Sequence, residues 1–262
     1  MNIQKKNQYY NKCYNSFEFE PIPKKCYQTW ESFNLHPVLQ QIREENQENN
    51  PDIEFIFFDK QMREDFIRKN FSKSVVDAYL RINPLFAVVQ ADFWRYCVLY
   101  INGGIYLDIK SRINQQLFGK IINSNDICLL DIERRMWENF RIDGIVKPSR
   151  EQWFLVFAKG HPYLKFMINQ MVFNINNNHM CIPYNYSLDS SNQTKETIIR
   201  LTGPDAFAAA INTCITSIGV LHKEIDIFSV AKCFPYGRPM YNKKNPHYSQ
   251  FTVNQLFINH HR

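Results

Sequence analysis

The sequence predicts an α/β fold with a mostly parallel central sheet flanked by helices. Short apolar runs bounded by Gly, Pro, Asn and Asp alternate with longer segments of helical periodicity, an order typical of α/β domains. The chain has 262 residues, of which 45% are hydrophobic and 21% charged, so it can bury one sizeable core. We expect a single domain over residues 21–262, preceded by an N-terminal arm over residues 1–20 that shows no periodicity.

A β-α-β unit is predicted at the start of this domain. Residues 22–30 and 53–59 are compact runs of apolar and aromatic side chains and indicate strands. Between them, residues 36–49 have the spacing of an amphipathic helix, with Pro37 near its start. Residues 60–82 then continue as one or two helices.

A second long helix, over residues 84–101, is predicted to lead directly into a strand. The Asn-Pro pair at 83–84 supplies an N-cap and a first-turn proline. The Gly-Gly pair at 103–104 ends the helix, because glycine tolerates the positive φ that a sharp change of direction requires. The strand predicted over 105–109 carries Asp108 at its C-terminal end.

The second half of the chain continues the alternation with weaker signals. A strand is predicted at 126–132, and either a strand or a buried segment in the apolar run before Gly160. Helices are predicted from Pro162 onward and over 205–213. Residues 174–196 are polar and irregular, so we expect a surface excursion beside the functional site. Residues 232–262 show no clear periodicity.

Charge and cysteine content narrow the functional classes. The net charge of +6 suits an anionic ligand, but the basic residues are scattered, so we expect no nucleic-acid partner. Seven cysteines without a CxxC motif indicate reduced thiols and a cytoplasmic, soluble protein. The sequence contains neither a signal-type N-terminus nor a long uncharged apolar run, so no transmembrane segment is expected.

Two charged side chains lie among apolar residues in the second long helix. At 100° per residue, Asp92 and Arg95 share an arc with core-type neighbours. An unpaired buried carboxylate costs several kcal/mol, roughly, so both groups need partners. Either they form a private ion pair one turn apart, or they point into a polar cleft where they bind sugar or phosphate oxygens.

The segment "ADFWRYCVLYINGGIYLDIK", with "IPKKCYQTW" before it and "HPYL" and "LTGP" after it, resembles glycosyltransferase family 32. This family contains DXD glycosyltransferases related to the large clostridial glucosylating toxins. Its D-x-x-R-x-x-x-L-Y-x-x-G-G-x-Y-x-D-x-D block is matched at every fixed position except the last. The resemblance covers residues 21–118 closely and the remainder only through short patches.

The resemblance implies a GT-A (Rossmann-like) fold and a retaining enzyme. Such an enzyme transfers a hexose from a nucleoside-diphosphate sugar, a UDP- or GDP-sugar, to a glycan, protein or lipid acceptor. Trp30 would stack on the base, with a core tryptophan as the alternative, and the turn at 202–204 would lie near the donor or acceptor, with a plain loop as the alternative. The implied donor-binding residues are Gln28, Trp30, Asp92, Arg95, Gly104, Tyr106, Asp108, Lys110, Thr202 and Gly203, with Asp92, Arg95, Asp108 and Lys110 as the catalytic ones.

Lys110 occupies the last position of the DXD motif. In the family this carboxylate ligates Mn²⁺ or Mg²⁺, which offsets the charge of the leaving diphosphate. A protonated lysine cannot ligate a cation. Strand alternation would direct Lys110, and Arg112 after it, to the same side as Asp108, so the ammonium group itself could neutralise the phosphate charge.

Three alternatives follow from this substitution. The protein is a metal-independent enzyme, or it is a metal enzyme in which Asp108 is joined by a ligand such as Asp189, Asp205 or His247. The third alternative is a non-catalytic nucleotide-sugar-binding pseudo-glycosyltransferase.

Overall fold

The computed structural model describes residues 18–132, 141–142, 145–146, 150–177, 190–233 and 251–258. The strands are β1 (Lys25–Thr29), β2 (Glu54–Phe58), β3 (Gly104–Leu107), β4 (Ser111–Ile113), β5 (Cys128–Asp131), β6 (Arg141–Ile142), β7 (Ile145–Val146), β8 (Phe154–Phe157), β9 (Lys223–Ile225) and β10 (Ala231–Cys233). The α-helices are α1 (Pro37–Asn49), α2 (Lys60–Asn70), α3 (Lys73–Arg81), α4 (Ala87–Asn102), α5 (Pro162–Asn176), α6 (Ser190–Leu201), α7 (Pro204–Ile218) and α8 (Ile227–Val230), with 3₁₀ turns at Pro84–Phe86 and Val253–Gln255.

The central sheet has six strands in the order β2-β1-β3-β8-β5-β9. Strand β1 pairs in parallel with β2 and β3, and β5 pairs in parallel with β9. Strand β8 is antiparallel to both of its neighbours, so β3 and β5 point in the same direction. The predicted α/β class with a mostly parallel sheet flanked by helices is confirmed. A separate antiparallel ribbon joins β4 to β10.

Helices cover both faces of the sheet at its β1–β2 side. On one face the ring of Trp94 in α4 lies 4.9 Å from that of Phe58 and 6.4 Å from that of Tyr106, measured between centroids. On the other face, Leu39 of α1 belongs to a buried apolar cluster with Phe57. Neighbouring strand residues point to opposite faces, so β2 contributes to both layers. This packing fixes α4 against the strand that precedes Asp108.

The glycine pair between α4 and β3 lets the chain reverse within the core. Gly103 has φ 66° and Gly104 has φ 99°, both in the region that glycine favours. A Cβ on Gly103 would lie 2.7 Å from the Lys159 backbone nitrogen, and one on Gly104 would lie 2.6 Å from the Lys25 carbonyl oxygen. Both the positive φ values and the close approach of neighbouring backbone therefore require glycine. The sequence had predicted the positive φ values.

The strand that follows is shorter than predicted. Strand β3 ends at Leu107, and the Ser111 backbone nitrogen donates to the Asp108 carbonyl oxygen at 2.8 Å. Residues 108–111 therefore form a turn, named here the Asp108 turn, with Lys110 inside it. The prediction of a strand through 109 is wrong, because β4 leaves the sheet at this point to pair with β10. Strand alternation consequently does not set the direction of Lys110.

The helical predictions agree with the structure except within residues 174–196, where residues 174–176 end α5. Residues 190–196 were expected to be irregular but begin α6, whose apolar residues Ile198 and Leu201 are buried; the polar composition of its first turns concealed the helix. Residues 178–189 of the expected excursion and residues 1–17 of the expected arm lie outside the described residues. None of the described helices is long and apolar enough to cross a membrane.

Replacing Gly104 by Ala should destabilise the protein strongly. The added Cβ would clash with the Lys25 carbonyl oxygen, and alanine would have to adopt a positive φ. We therefore expect the free energy of unfolding to fall by roughly 2–5 kcal/mol. Gly119→Ala is the matched control, because Gly119 also has a positive φ but has no atom within 4 Å of the added Cβ; about 1–2 kcal/mol is expected there. Urea denaturation measures both, and equal losses would contradict the steric part of this prediction.

Candidate functional site

The C-terminal ends of β1, β3, β5 and β9 meet at one edge of the sheet. Trp30 follows β1, Asp108 follows β3, Asp131 ends β5, and Asp226 follows β9. Because β8 is antiparallel, the residue before it, Trp153, comes to the same edge. Ligands of open α/β sheets bind at this edge. We take it as the candidate active site, with Asp108 near its middle.

A buried guanidinium group organises this edge. Arg95 Nη2 lies 2.6 Å from Asp92 Oδ1 and 3.7 Å from Asp108 Oδ1, and Arg95 Nη1 donates to the Gln152 carbonyl oxygen at 2.7 Å. The guanidinium carbon lies 4.5 Å from the centroid of the Tyr106 ring, in a cation–π arrangement. Asp92, Arg95 and Asp108 are called the Arg95 cluster below. Through the contacts of Arg95, helix α4 is joined to the end of β3 and to the segment before β8.

The turn between α6 and α7 also contacts this cluster. Thr202 Oγ1 donates to Asp92 Oδ2 at 2.9 Å, and the Tyr96 hydroxyl donates to the Thr202 carbonyl oxygen at 3.0 Å. A Cβ on Gly203 would lie 2.6 Å from Cα of Ile199, so the backbone can pass only with glycine at this position. The "LTGP" patch therefore supports the base of the Arg95 cluster and is more than a plain loop.

Solvent exposure differs sharply within the Arg95 cluster. The side chains of Asp92 and Arg95 are 3% and 6% exposed, whereas that of Asp108 is 23% exposed. The ion pair foreseen from the helix does form, but it is not private, because Arg95 also approaches Asp108. The geometry favours positioning of Asp108 by the buried pair, and direct contact of Asp92 and Arg95 with a donor sugar stays a prediction.

The protonation properties of the Arg95 cluster follow from burial and pairing. Burial raises the pKa of Asp92 to about 6, against the opposing effects of Arg95 and the Thr202 hydrogen bond. Burial alone would lower the pKa of Arg95, but Tyr106, Asp92 and Asp108 outweigh it, so the pKa is raised. Burial also raises the pKa of Tyr106 well above its usual range, and its neutral hydroxyl donates to Asp108 Oδ1 at 2.7 Å.

The remaining predicted residues of β1 and β3 have different positions. Trp30 is partly buried and packs against an apolar cluster to which Ile109 of the Asp108 turn also belongs. Gln28 is fully buried, and neither its Oε1 nor its Nε2 has a hydrogen-bond partner among the described residues. The structure does not bring Gly104 to this edge, since it begins β3 at the opposite end from Asp108.

Arg63 and Gln152 contribute to the site, and neither was identified from the sequence. Arg63 is fully buried in α2; its Nη1 donates to Thr29 Oγ1 at 2.7 Å and its Nη2 to Glu31 Oε1 at 2.6 Å, so it fixes the chain on both sides of Trp30. Arg63 precedes the buried Ile67 by four residues, so both lie on the same face of the helix. This spacing was the signal from which its burial could have been predicted. Gln152 carried no signal, because its contribution to Arg95 is made by its backbone.

Lys110 lies in the same turn as Asp108, two residues further along the chain, and not on the strand that was predicted. Burial raises the pKa of the Cys233 thiol, which Asp108 raises further and Lys110 lowers. Arg112 is directed elsewhere, with its Nε 2.6 Å from Glu45 Oε2. A shared role for Arg112 and Lys110 is therefore not supported.

The described residues contain no ready-made cluster of metal ligands. Within these ranges no three His, Cys, Asp or Glu side chains lie close enough together to hold a metal ion. The only acidic residue of the DXD-like motif, Asp108, already accepts from Tyr106 and approaches Arg95, and the second motif position is a lysine. Asp189 and His247, named above as further ligands, lie outside the described residues.

A protein-family comparison matches the segment that contains the DXD-like motif. Residues 23–128 match the family model described as "Glycosyltransferase sugar-binding region containing DXD motif". This segment contains Trp30 and the complete Arg95 cluster. The predicted resemblance to DXD glycosyltransferases is thus confirmed for this region.

Two curated relatives have similar sequences. One is the inositol phosphoceramide mannosyltransferase 2 of Schizosaccharomyces pombe, 33% identical over 170 residues that make up 59% of this chain and 46% of the relative. The other is the initiation-specific alpha-1,6-mannosyltransferase of Candida albicans, 29% identical over 174 residues, 58% of this chain and 43% of the relative. The match therefore spans a little under half the length of each relative.

Two solved structures are similar in overall shape. The PaToxG glycosyltransferase has a TM-score of 0.49 and 18% identity, with 82% of this chain and 78% of that chain covered. The ligand-free glycosyltransferase domain from the YGT toxin has a TM-score of 0.48 and 9% identity, with 81% of each chain covered.

Replacing Arg95 by Met should leave the Asp92 carboxylate buried without its cation. We expect a loss of roughly 3–5 kcal/mol in the free energy of unfolding at neutral pH. Burial already raises the pKa of Asp92 to about 6 in the wild type, and loss of the guanidinium raises it further in the variant. The loss of stability therefore grows as pH rises above the wild-type pKa and shrinks as pH falls towards about 4.

Urea denaturation at neutral and acidic pH measures this change against the wild type. Arg68→Met is the matched control, because Arg68 pairs with Glu64 on an exposed helix surface and its loss should cost about 0.5 kcal/mol. A loss for Arg95→Met that does not depend on pH would contradict an unpaired Asp92 carboxylate as its cause.

Proposed function

We propose that this protein is a glycosyltransferase that transfers a hexose from a nucleoside-diphosphate sugar, with retention of anomeric configuration. The observation that carries the proposal is the position of Asp108. It is the most exposed carboxylate of the Arg95 cluster and lies at the ligand-binding edge of the sheet, within the segment that matches a glycosyltransferase sugar-binding region.

The residues around Asp108 suit the parts of such a donor. Trp30 offers a partly exposed indole ring for stacking on the base. Asp108, held by Tyr106 and Arg95, accepts hydrogen bonds from sugar or ribose hydroxyls. Lys110, in the Asp108 turn, supplies positive charge next to this carboxylate. Together they provide a stacking surface, an acceptor and a cation for one ligand.

In the proposed reaction, the bond between the anomeric carbon and the diphosphate oxygen breaks, and the acceptor hydroxyl oxygen bonds to the same carbon on the same face of the ring. The acceptor proton passes to the departing diphosphate, so no separate protein base is required. Lys110 stabilises the negative charge that develops on this leaving group. Stabilisation of this kind is usually the largest contribution to catalysis.

Mannose is the first sugar to test, because both curated relatives are named mannosyltransferases. A GDP- or UDP-linked donor and a glycan, protein or lipid acceptor are proposed with it. A cytoplasmic location also remains a proposal; it is supported by the free state of Cys26, Cys97, Cys128, Cys214 and Cys233.

Replacing Asp108 by Asn should abolish most activity while the fold remains. Removing the charge weakens the contact with the donor hydroxyls, so we expect nucleotide release and sugar transfer to fall at least about 100-fold. The assay follows radiolabelled GDP-mannose, UDP-glucose and related donors. Asp77→Asn is the control, because Asp77 is paired with Lys73 on an exposed helix surface.

A folded wild-type protein that is stabilised by a nucleotide sugar but releases no nucleotide would contradict transfer. That result would establish the non-catalytic nucleotide-sugar-binding protein instead. Unchanged activity of Asp108→Asn would contradict the proposed site.

Lys110→Asp tests whether the ammonium group replaces a metal ion. If Lys110 neutralises the diphosphate directly, the wild type keeps its activity in excess EDTA, whereas Lys110→Asp loses at least about 100-fold without metal and recovers with Mn²⁺. Lys120→Asp makes the same charge change at an exposed position and should leave both properties unchanged. A wild type that is inactive in EDTA would contradict the direct role of Lys110.

A further inference from the structure

An open groove of about 580 Å³ lies beside the Asp108 turn, outside the Arg95 cluster. Its walls are the C-terminal half of α1, the β4–β10 ribbon and α8. The lining residues are Glu45, Asn46, Asn49, Arg112, Ile113, Asn114, Phe228, Ser229 and Lys232. None of these residues has a role in the donor site proposed above.

The groove is connected to the donor site through two aromatic rings. The Asp108 backbone nitrogen donates to the Trp153 carbonyl oxygen at 2.8 Å. The ring of Trp153 lies 5.6 Å from that of Phe228, centroid to centroid, in an edge-to-face arrangement. On the other wall, Arg112 follows Lys110 by two residues. A ligand in the groove would therefore have one end near the proposed transfer centre.

The walls of the groove are fixed by buried hydrogen bonds. The Asn46 side chain, 1% exposed, donates to the Ser111 carbonyl oxygen at 2.8 Å and accepts from the Ile113 backbone nitrogen at 2.8 Å. The Asn114 backbone nitrogen donates to the Val230 carbonyl oxygen at 2.9 Å. A groove held in this way binds a ligand without first ordering its own walls.

The chemistry of the groove matches a carbohydrate. Phe228 is 43% exposed and offers an aromatic surface for the apolar face of a sugar ring. Asn49, Asn114 and Ser229 are exposed and both donate and accept hydrogen bonds, as sugar hydroxyls do. The charged lining residues are Glu45, Arg112 and Lys232, and two positive charges with one negative charge leave a net charge of +1. Because Glu45 pairs with Arg112 at 2.6 Å, charge alone does not select an anion.

We propose that this groove is the acceptor site and that the acceptor is a carbohydrate, with Phe228 as its stacking surface. This inference rests on the proposed function, since it assigns the partner substrate of the same reaction. It narrows the acceptor from glycan, protein or lipid to a sugar chain or the sugar portion of a glycoconjugate.

Saturation-transfer NMR tests binding without requiring activity. Mannotriose and maltotriose serve as probes with the full chain, in the presence of GDP or UDP. We expect wild type to bind at least one trisaccharide. Phe228→Ala and Asn114→Ala should each weaken binding about fivefold, and Phe228→Tyr, which keeps the ring, should retain it. Phe173→Ala is the control, because Phe173 is also an exposed ring and lies on α5, outside the groove.

Transfer kinetics supply the second measurement. The two weakening variants should raise the acceptor KM about fivefold, with the donor KM changed less than the acceptor KM. Phe228→Ala could act by disturbing Trp153, which packs against Phe228. Asn114→Ala tests the groove at a second lining residue. Absence of trisaccharide binding by wild type, or binding and acceptor KM unaffected by both variants, overturns the acceptor site.

The two proposals fail separately. Trisaccharide binding that depends on the groove, without any transfer, would contradict the proposed enzyme and retain a sugar-binding groove. Transfer with groove variants that behave like wild type would retain the enzyme and place the acceptor elsewhere.

Discussion

The need to satisfy one buried cation shapes the candidate site. A guanidinium group removed from water requires acceptors and negative charge in fixed positions. Arg95 finds acceptors in Asp92 and the Gln152 carbonyl oxygen, and further negative charge in Asp108 at 3.7 Å. Those partners belong to α4, the end of β3 and the segment before β8, and Thr202 adds the turn between α6 and α7. Elements distant in the sequence are thus held together by the contacts of Arg95 and its partner Asp92.

This arrangement explains how a partly exposed carboxylate is held at the edge of the sheet. Asp108 follows the last residue of β3, where side chains are no longer fixed by strand pairing, and yet Tyr106 and Arg95 restrain it. Burying an ion pair gives little net stability, and an apolar replacement of similar size is often as stable. We therefore propose that Asp92 and Arg95 serve to position Asp108, which lies 3.7 Å from Arg95, more than to add stability.

The Asp108 turn links the donor and acceptor proposals. It directs the chain out of the central sheet into the β4–β10 ribbon, so the residues after Lys110 leave the donor site and form a wall of the groove. A metal-binding DXD motif places both carboxylates at the diphosphate. Here the turn contains one carboxylate residue and one lysine, and Arg112 contributes to a neighbouring surface.

The sequence by itself determined the α/β class, the order of its first strands and helices, the glycine pair, and the need of the buried Asp92 and Arg95 for partners. These features are encoded locally, in periodicity, turn residues and a contiguous motif. Only the tertiary structure decided that β3 stops before Asp108, that Arg95 contacts Asp108 as well as Asp92, and that Phe228 lies beside Trp153. Such facts depend on contacts between residues far apart in the chain and on backbone acceptors such as that of Gln152, which no residue type reveals.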